Sequence, residues 1–295
     1  MKSVSLVLGS GGARGLAHIG VIRCLEEHGY EIQSISGCSM GALVGGIYAA
    51  GKLDEFESWV RAVKKIDIVT LLDISWSKSG LVKGDKVIDN LKELVGDIKI
   101  DDLAISYTAV AVDLNEEKEI WINSGRLFNA IRASISLPMF FTPHRYKDAY
   151  LIDGGVLNPV PIAPTFSDNT DITIAVNLGG KLIVNNKKRN VVYKKDEVTN
   201  GIGEKINSYI EQLKEKINFT TSIVESAVDW DAYDIANQAF DAMQSTIARQ
   251  KLAAYPPDLI IEIARNACAT LEFDRADEMI ELGYEKTEHC LDSLE

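Results

Sequence analysis

Residues that hold metals or staple a fold are scarce in this 295-residue chain. It has four cysteines, Cys24, Cys38, Cys268 and Cys290, with no Cys-x-x-Cys pair, and only four histidines. A zinc site built on clustered thiolates is thereby excluded, and widely spaced thiols suit a reducing compartment. The ligand spacing of an EF-hand is missing too, so neither a metal nor an organic cofactor is expected. No stretch reaches the roughly 18 uninterrupted apolar residues that a membrane span requires. Lys2 is followed by only six residues before a glycine run, too few for the core of a secretory signal. The expectation is a cytoplasmic protein that meets lipid, if at all, peripherally from the water side. Basic residues are in deficit, 31 against 43 acidic, for a net charge of −12. That argues against a nucleic-acid partner, because such binding rests on Lys and Arg neutralising phosphates.

The remainder is ordinary for a globular protein: 46% hydrophobic and 25% charged, enough for a sizeable core. Val4 to Leu8 is a β-branched apolar run that ends at Gly9-Ser10-Gly11-Gly12. Leu16, Ile19, Ile22 and Leu25 then recur at helical spacing up to Gly29. The unit repeats, with a strand over 32–36, the turn Gly37-Cys38-Ser39-Met40-Gly41, and a small-residue helix over 42–50. Strand, glycine turn, helix, twice over, predicts an α/β fold with a mainly parallel central sheet between helical layers. Further strands are expected at 106–113, 118–123, 149–152, 172–177 and 258–263, and a closing helix at 275–291. Helical periodicity without strand signals over 204–217 and 233–253 predicts a helical insertion near the C-terminus. The expected division is 1–180 as the catalytic domain, 181–258 as a basic loop and helical insertion, and 259–295 as a strand and helix completing the core.

The chemistry concentrates in three places. Gly37-Cys38-Ser39-Met40-Gly41 fits Gly-x-Ser-x-Gly, in which a sharp strand-to-helix turn thrusts the serine hydroxyl clear of the backbone. The glycines two residues either side avoid collisions, and the following helix offers its free N–H groups to negative charge. Alternatively, the pentapeptide is only a tight structural turn. Gly9-Ser10-Gly11-Gly12-Ala13-Arg14-Gly15 also joins a strand to a helix. As a dinucleotide fingerprint it fails by one residue, since Arg14 stands where the last glycine belongs. Alternatively it is an oxyanion hole, in which consecutive glycines let backbone N–H groups converge on one oxygen, each worth about 2.7–4 kcal/mol, or a purely structural turn. The third place supplies a base. Asp153 follows Tyr150-Leu151-Ile152 and precedes Gly154-Gly155, at the end of a strand, where α/β proteins gather functional groups; a plain turn is the competing reading. Of the histidines, His18 and His28 fall on the first helix as partly exposed residues, His144 in a loop, and His289 on a charged terminal helix.

Taken together and in this order, the three segments resemble the patatin-like phospholipase family, in particular its small bacterial esterases. Ser134-Ile135-Ser136-Leu137-Pro138-Met139-Phe140-Phe141-Thr142-Pro143, Asn158-Pro159-Val160-Pro161 and the ending around Phe273-Asp274-Arg275 are also similar to that family, so the likeness spans roughly 1–180 and 256–290. Family members usually carry Gly where this chain has Ser10, which a tight turn accepts if φ stays negative. The resemblance implies a three-layer patatin-like fold and a lipid-ester hydrolase with a Ser39–Asp153 dyad and no catalytic histidine. It implies an oxyanion hole at Gly11 and Gly12, with Arg14 adding positive potential or anchoring the loop, and an elbow and Asp motif resting on Gly37, Gly41, Gly154 and Gly155. Substrates would be lipid or small esters.

Two other readings remain: a Ser-Asp-His esterase using His289, and a non-catalytic lipid- or protein-binding member of the same fold. Residues 66–72 and 137–141 are apolar and could wall an acyl pocket, the second with the better claim because it closely precedes Asp153. Lys181, Lys187, Lys188, Arg189, Lys194 and Lys195 form a run without acids, either a solvated loop or a contact for an anionic membrane surface.

Overall fold

The computed structural model describes residues 1–63, 84–183 and 232–293. Two compact units divide the chain, one formed by 1–183 with 238–295 and the other by 184–237. Only the start of one helix in the second unit is among the described residues, so the expected helix at 204–217, the apolar run 66–72 and the basic residues 187–195 lie outside them.

The main unit is built on one mixed, mostly parallel sheet flanked by helices. Its strands are β1 (Lys2–Leu8), β2 (Tyr30–Cys38), β3 (Ser106–Asp113), β4 (Lys118–Ile122), β5 (His144–Tyr146), β6 (Ala149–Asp153), β7 (Ile172–Gly180) and β8 (Leu259–Ala264). Strands β3, β2, β1, β7 and β8 lie side by side, all parallel; β4 and β6 run antiparallel to β3, and β5 antiparallel to β6. Among the described residues the helices are α1 (Ala17–Glu27), α2 (Met40–Ala49), α3 (Leu53–Ala62), α4 (Asp85–Val95), α5 (Leu127–Ser134), α6 (Ala232–Ala254) and α7 (Ala276–Asp292).

Because side chains alternate along a strand, β1 serves two cores at once. Val4, Leu6 and Leu8 enter the larger one with α1, α2, α3, α4, α5 and α7, while Val7 enters a smaller one with Val160, Ile162, Ala175 and, from α6, Ala248 and Leu252. Both faces are therefore covered, as parallel sheets require. The chain moves from β1 through β2 to β3 in one direction and returns on the other side of β1 with β7 and β8. That reversal opens a crevice at the carboxyl ends of the central strands, the usual place for a ligand site in such sheets.

Two differences from expectation bear on the site. His144 lies in the short strand β5, paired opposite Leu151, and not in a loop. His18 is not partly exposed; α1 is buried nearly all round at its start, from Ala17 through Ile22.

Helices α1 and α7 pack against each other through glycines. A Cβ at Gly283 would lie 2.0 Å from the Ala17 carbonyl oxygen, and one at Gly20 1.9 Å from that of Ile280. Gly283→Ala must push the two helices apart and is expected to lose about 1–3 kcal/mol of stability, read as a lower urea midpoint at unchanged slope.

Candidate active site

β2 ends with Cys38 opposite Val110 of β3, and α2 begins at Met40. Ser39 alone makes the turn, at φ 55° and ψ −126°, a conformation that costs a non-glycine residue about 1–3 kcal/mol. The turn is tight enough that a Cβ at Gly41 would stand 2.0 Å from the Leu8 carbonyl oxygen, and one at Gly37 2.5 Å from that of Gly41. The Ser39 N–H donates to the Ser134 hydroxyl at 2.9 Å. Its neighbour Cys38 is buried, its thiol directed at the Pro159 carbonyl 3.4 Å away; burial first, then the Asp153 charge, pushes its pKa well up, so it stays protonated.

Asp153 reaches the same spot from the opposite direction. Ala109 and Val110 pair with β2 on one edge of β3 and β4 on the other, whereas Ala111 to Asp113 pair with β6 and β4. β2 and β6 thus share one edge of β3 and run head to head, the first ending opposite Val110 and the second opposite Ala111. Asp153 is fully buried. Its N–H donates to the Ser136 carbonyl at 3.0 Å, and its Oδ1 accepts the Gly155 N–H at 2.7 Å. Oδ2 has no partner of ordinary hydrogen-bond geometry, although the Ser39 hydroxyl is near enough to stabilise the carboxylate. Burial dominates and pushes the carboxyl from its ordinary 3.8 up to about 7, against the pull of Ser39 and the Gly155 N–H.

The glycine loop after β1 is clamped at three backbone points: Gly9 N–H to the Val176 carbonyl (3.1 Å), Ser10 N–H to that of Pro159 (2.8 Å) and Ala13 N–H to that of Thr270 (2.8 Å). Among the described residues the N–H groups of Gly11 and Gly12 have no such partner. Gly12, at φ 56°, borders the same cavity as Ser39. Ser10 does not have positive φ, which is why the turn accepts it; its hydroxyl takes a hydrogen bond from Gln244 at 3.3 Å. Arg14 is buried with its guanidinium behind the loop, donating to the carbonyls of Gly11 (3.0 Å) and Arg265 and pairing with Asp241 at 3.2 Å. Its bonds are those of an anchor. His18 also supports the loop, its Nε2 lying 2.9 Å from the Gly9 carbonyl oxygen. Burial brings its pKa down to about 4, so the ring is neutral and Nε2 is the donor.

Beside Ser39 lies a cavity of about 130 Å³ with an almost wholly apolar lining. Leu137, Phe140 and Phe141 form part of its wall, as do Phe56 and Trp59 from α3, which the sequence reading did not include. The signal was there, since Leu53, Phe56 and Val60 recur at helical spacing. Met139 turns outward instead, at φ 69° and 53% exposed. His289 is exposed on the last turn of α7 and does not line the cavity. No group of three or more His, Cys, Asp or Glu among the described residues could hold a metal ion, and none of their helices is long and apolar enough to cross a membrane.

Fold and site together define an α/β protein with a serine at a sharp strand-to-helix turn bordering an apolar cavity. The chain belongs to the patatin-like phospholipase family, which residues 6–166 match, a hydrolase family broadly implicated in lipid-ester hydrolysis. An uncharacterized NTE family protein of Mycobacterium tuberculosis is 36% identical across 99% of this chain and 92% of its own length. Lysophospholipase NTE1 of Saccharomyces cerevisiae is 28% identical over 60% of this chain, which corresponds to 11% of that much longer protein. Among solved structures, VipD from Legionella pneumophila superposes on 99% of this chain and 67% of its own, with a TM-score of 0.46 at 14% identity.

The buried Asp153 has a consequence for stability. In the unfolded chain it ionises near its ordinary 3.8, whereas in the folded chain it holds its proton up to about 7. Through this group the folded state holds an extra proton in that window, so the contribution of Asp153 to stability falls as pH rises through it. Asp153→Asn cannot ionise. Its melting temperature relative to the wild type is expected to climb between pH 5 and pH 8 and then level off, as calorimetry at several pH values would show.

Proposed function

We propose that this protein is a serine hydrolase that cleaves the acyl esters of lipids through a Ser39–Asp153 dyad and an acyl-enzyme. The observation that carries the reading is the meeting of a strained serine and a fully buried carboxylate with a free oxygen, beside an apolar cavity. In this reading the acyl chain lies along Leu137, Phe140 and Phe141, which brings the ester carbonyl to Ser39. Asp153 Oδ2 accepts the hydroxyl proton as Oγ attacks the carbonyl carbon. The negative charge on the former carbonyl oxygen is met by the Gly11 and Gly12 N–H groups and the N-terminus of α2. Collapse of the tetrahedral intermediate expels the alcohol, which takes the proton from Asp153. Water, deprotonated by the same carboxylate, then attacks the acyl-enzyme, and collapse of that intermediate releases the fatty acid and expels Ser39 Oγ, which takes the proton back from Asp153. A carboxylate with a pKa of about 7 is a better base than an exposed one, which makes up in part for the missing imidazole. The reading through His289 loses ground because that ring is exposed on α7.

Hydrolysis of p-nitrophenyl esters tests the assignment. Ser39→Ala and Asp153→Asn should each lose on the order of a thousandfold or more in kcat, since members of one catalytic unit fail together, while His289→Ala stays within about twofold of the wild type. A fluorophosphonate should label Ser39 and no other serine, and wild-type kcat/KM should rise with pH through about 7 as Asp153 loses its proton. Activity retained in Asp153→Asn, or label on a different serine, would reject the dyad.

The cavity wall allows a separate check. Phe141→Ala should reduce kcat/KM for a decanoyl ester by about tenfold or more and leave the acetate nearly unchanged, since each lost apolar contact weakens only the longer chain. Equal losses on both esters would instead mark Phe141 as a folding residue.

A further inference from the structure

The hydrogen bonding of Ser39 differs from what the sheet register would give it. In a parallel ladder with Cys38 opposite Val110, the residue after Cys38 donates its N–H to the Val110 carbonyl. The Ser134 hydroxyl stands between the two instead. It accepts the Ser39 N–H at 2.9 Å and donates to the Val110 carbonyl oxygen at 2.6 Å. Ser134 is fully buried at the C-terminal end of α5, so no solvent can take its place. The hydroxyl therefore bridges the two ladder groups at the point where β2 must leave the sheet for Ser39 to reach φ 55°. Two residues on, the Ser136 carbonyl receives the Asp153 N–H at 3.0 Å. One short turn thus fixes the backbone of both members of the pair.

We infer that Ser134 is a positioning residue whose hydroxyl, wedged between the Ser39 N–H and the Val110 carbonyl, holds the nucleophile out of the β2–β3 ladder in its reactive conformation. This rests on the reading of Ser39 as nucleophile. Removing the hydroxyl leaves a buried N–H and C=O that can satisfy each other only by closing the ladder, and that closure draws Ser39 toward Val110 of β3. Ser134 touches neither the proton acceptor nor the acyl cavity, so the pH dependence and the substrate affinity should stay as they are.

The experiment compares Ser134→Ala and Ser134→Thr with the wild type in steady-state ester hydrolysis and in the rate of fluorophosphonate labelling at Ser39. For Ser134→Ala, kcat and the labelling rate are expected to fall together by about 10- to 100-fold, the scale of a small misplacement of a reacting group. KM should remain within about twofold and the pH midpoint should not move. Ser134→Thr, which restores a hydroxyl, should recover most of the rate. If Ser134→Ala gives no folded protein, Ser134→Cys, of similar size but a much weaker hydrogen-bonding group, takes its place with the same expected direction. A wild-type labelling rate in the Ala or Cys variant overturns the wedge, and so does a Thr variant no faster than Ala. Failure of the wild type to label at Ser39 would overturn the nucleophile reading itself, whereas normal wild-type labelling beside an unimpaired Ser134→Ala would remove the wedge alone.

Discussion

Two strands ending against each other on one edge of β3 are the constraint from which the site follows. Val110 and Ala111 are neighbours in the chain, so whatever ends opposite them is brought together without any loop having to reach. β2 contributes a serine at its carboxyl end and β6 an aspartate at its own. An antiparallel strand in a mostly parallel sheet is what allows both carboxyl ends to meet. Had β6 run parallel to β3, Asp153 would project from the far end of its pairing. The glycine loop needs no separate device, because β1 adjoins β2 and ends at the same level, with Leu8 opposite Gly37.

Around this meeting point the supports are buried polar contacts, each tied to a different element. Arg14 fastens the glycine loop to the residue after β8 and to α6, His18 holds it from α1, and the end of α5 and the turn that follows hold Ser39 and Asp153. In so dry a setting a fixed donor is worth more than in water, and a missing one costs more. The same dryness raises the pKa of Asp153 and keeps the Cys38 thiol neutral beside it. Packing and chemistry therefore draw on one property, the exclusion of water from the ends of the central strands.

Much of this was legible in the residues. β1, β3 and β6 are short apolar runs stopped by glycine or aspartate, and β8 is one that follows Pro256-Pro257, so all four fall within a residue or two of where periodicity puts them. The serine and aspartate segments were recognisable because few backbone arrangements require Gly-x-Ser-x-Gly and Asp-Gly-Gly together. What escaped was set by tertiary context. β5 is three residues long and exists only through its pairing with β6, so His144 carried no strand signal of its own. His18 sits on a helix that is covered on nearly every side, which a one-faced helical pattern does not reveal. Ser134 looks like any small residue in Ser-Ile-Ser, since its hydrogen bonds run to Val110 and Ser39, 24 and 95 positions away.

Asp153 at the end of β6 and His18 on α1 also act on each other's thermodynamic effect without touching. On folding, Asp153 retains a proton that the unfolded chain would release between about pH 4 and 7. His18 refuses one that the unfolded chain would bind between about pH 4 and its ordinary 6.5. Around pH 5.5 the first adds a proton to the folded side of the balance and the second removes one, so these two groups leave folding almost proton-neutral. Each burial is unfavourable, yet their dependences on acidity have opposite slopes and largely cancel. A site that needs an uncomfortable carboxylate is thereby carried on a fold whose stability those two groups keep nearly level across mildly acidic conditions.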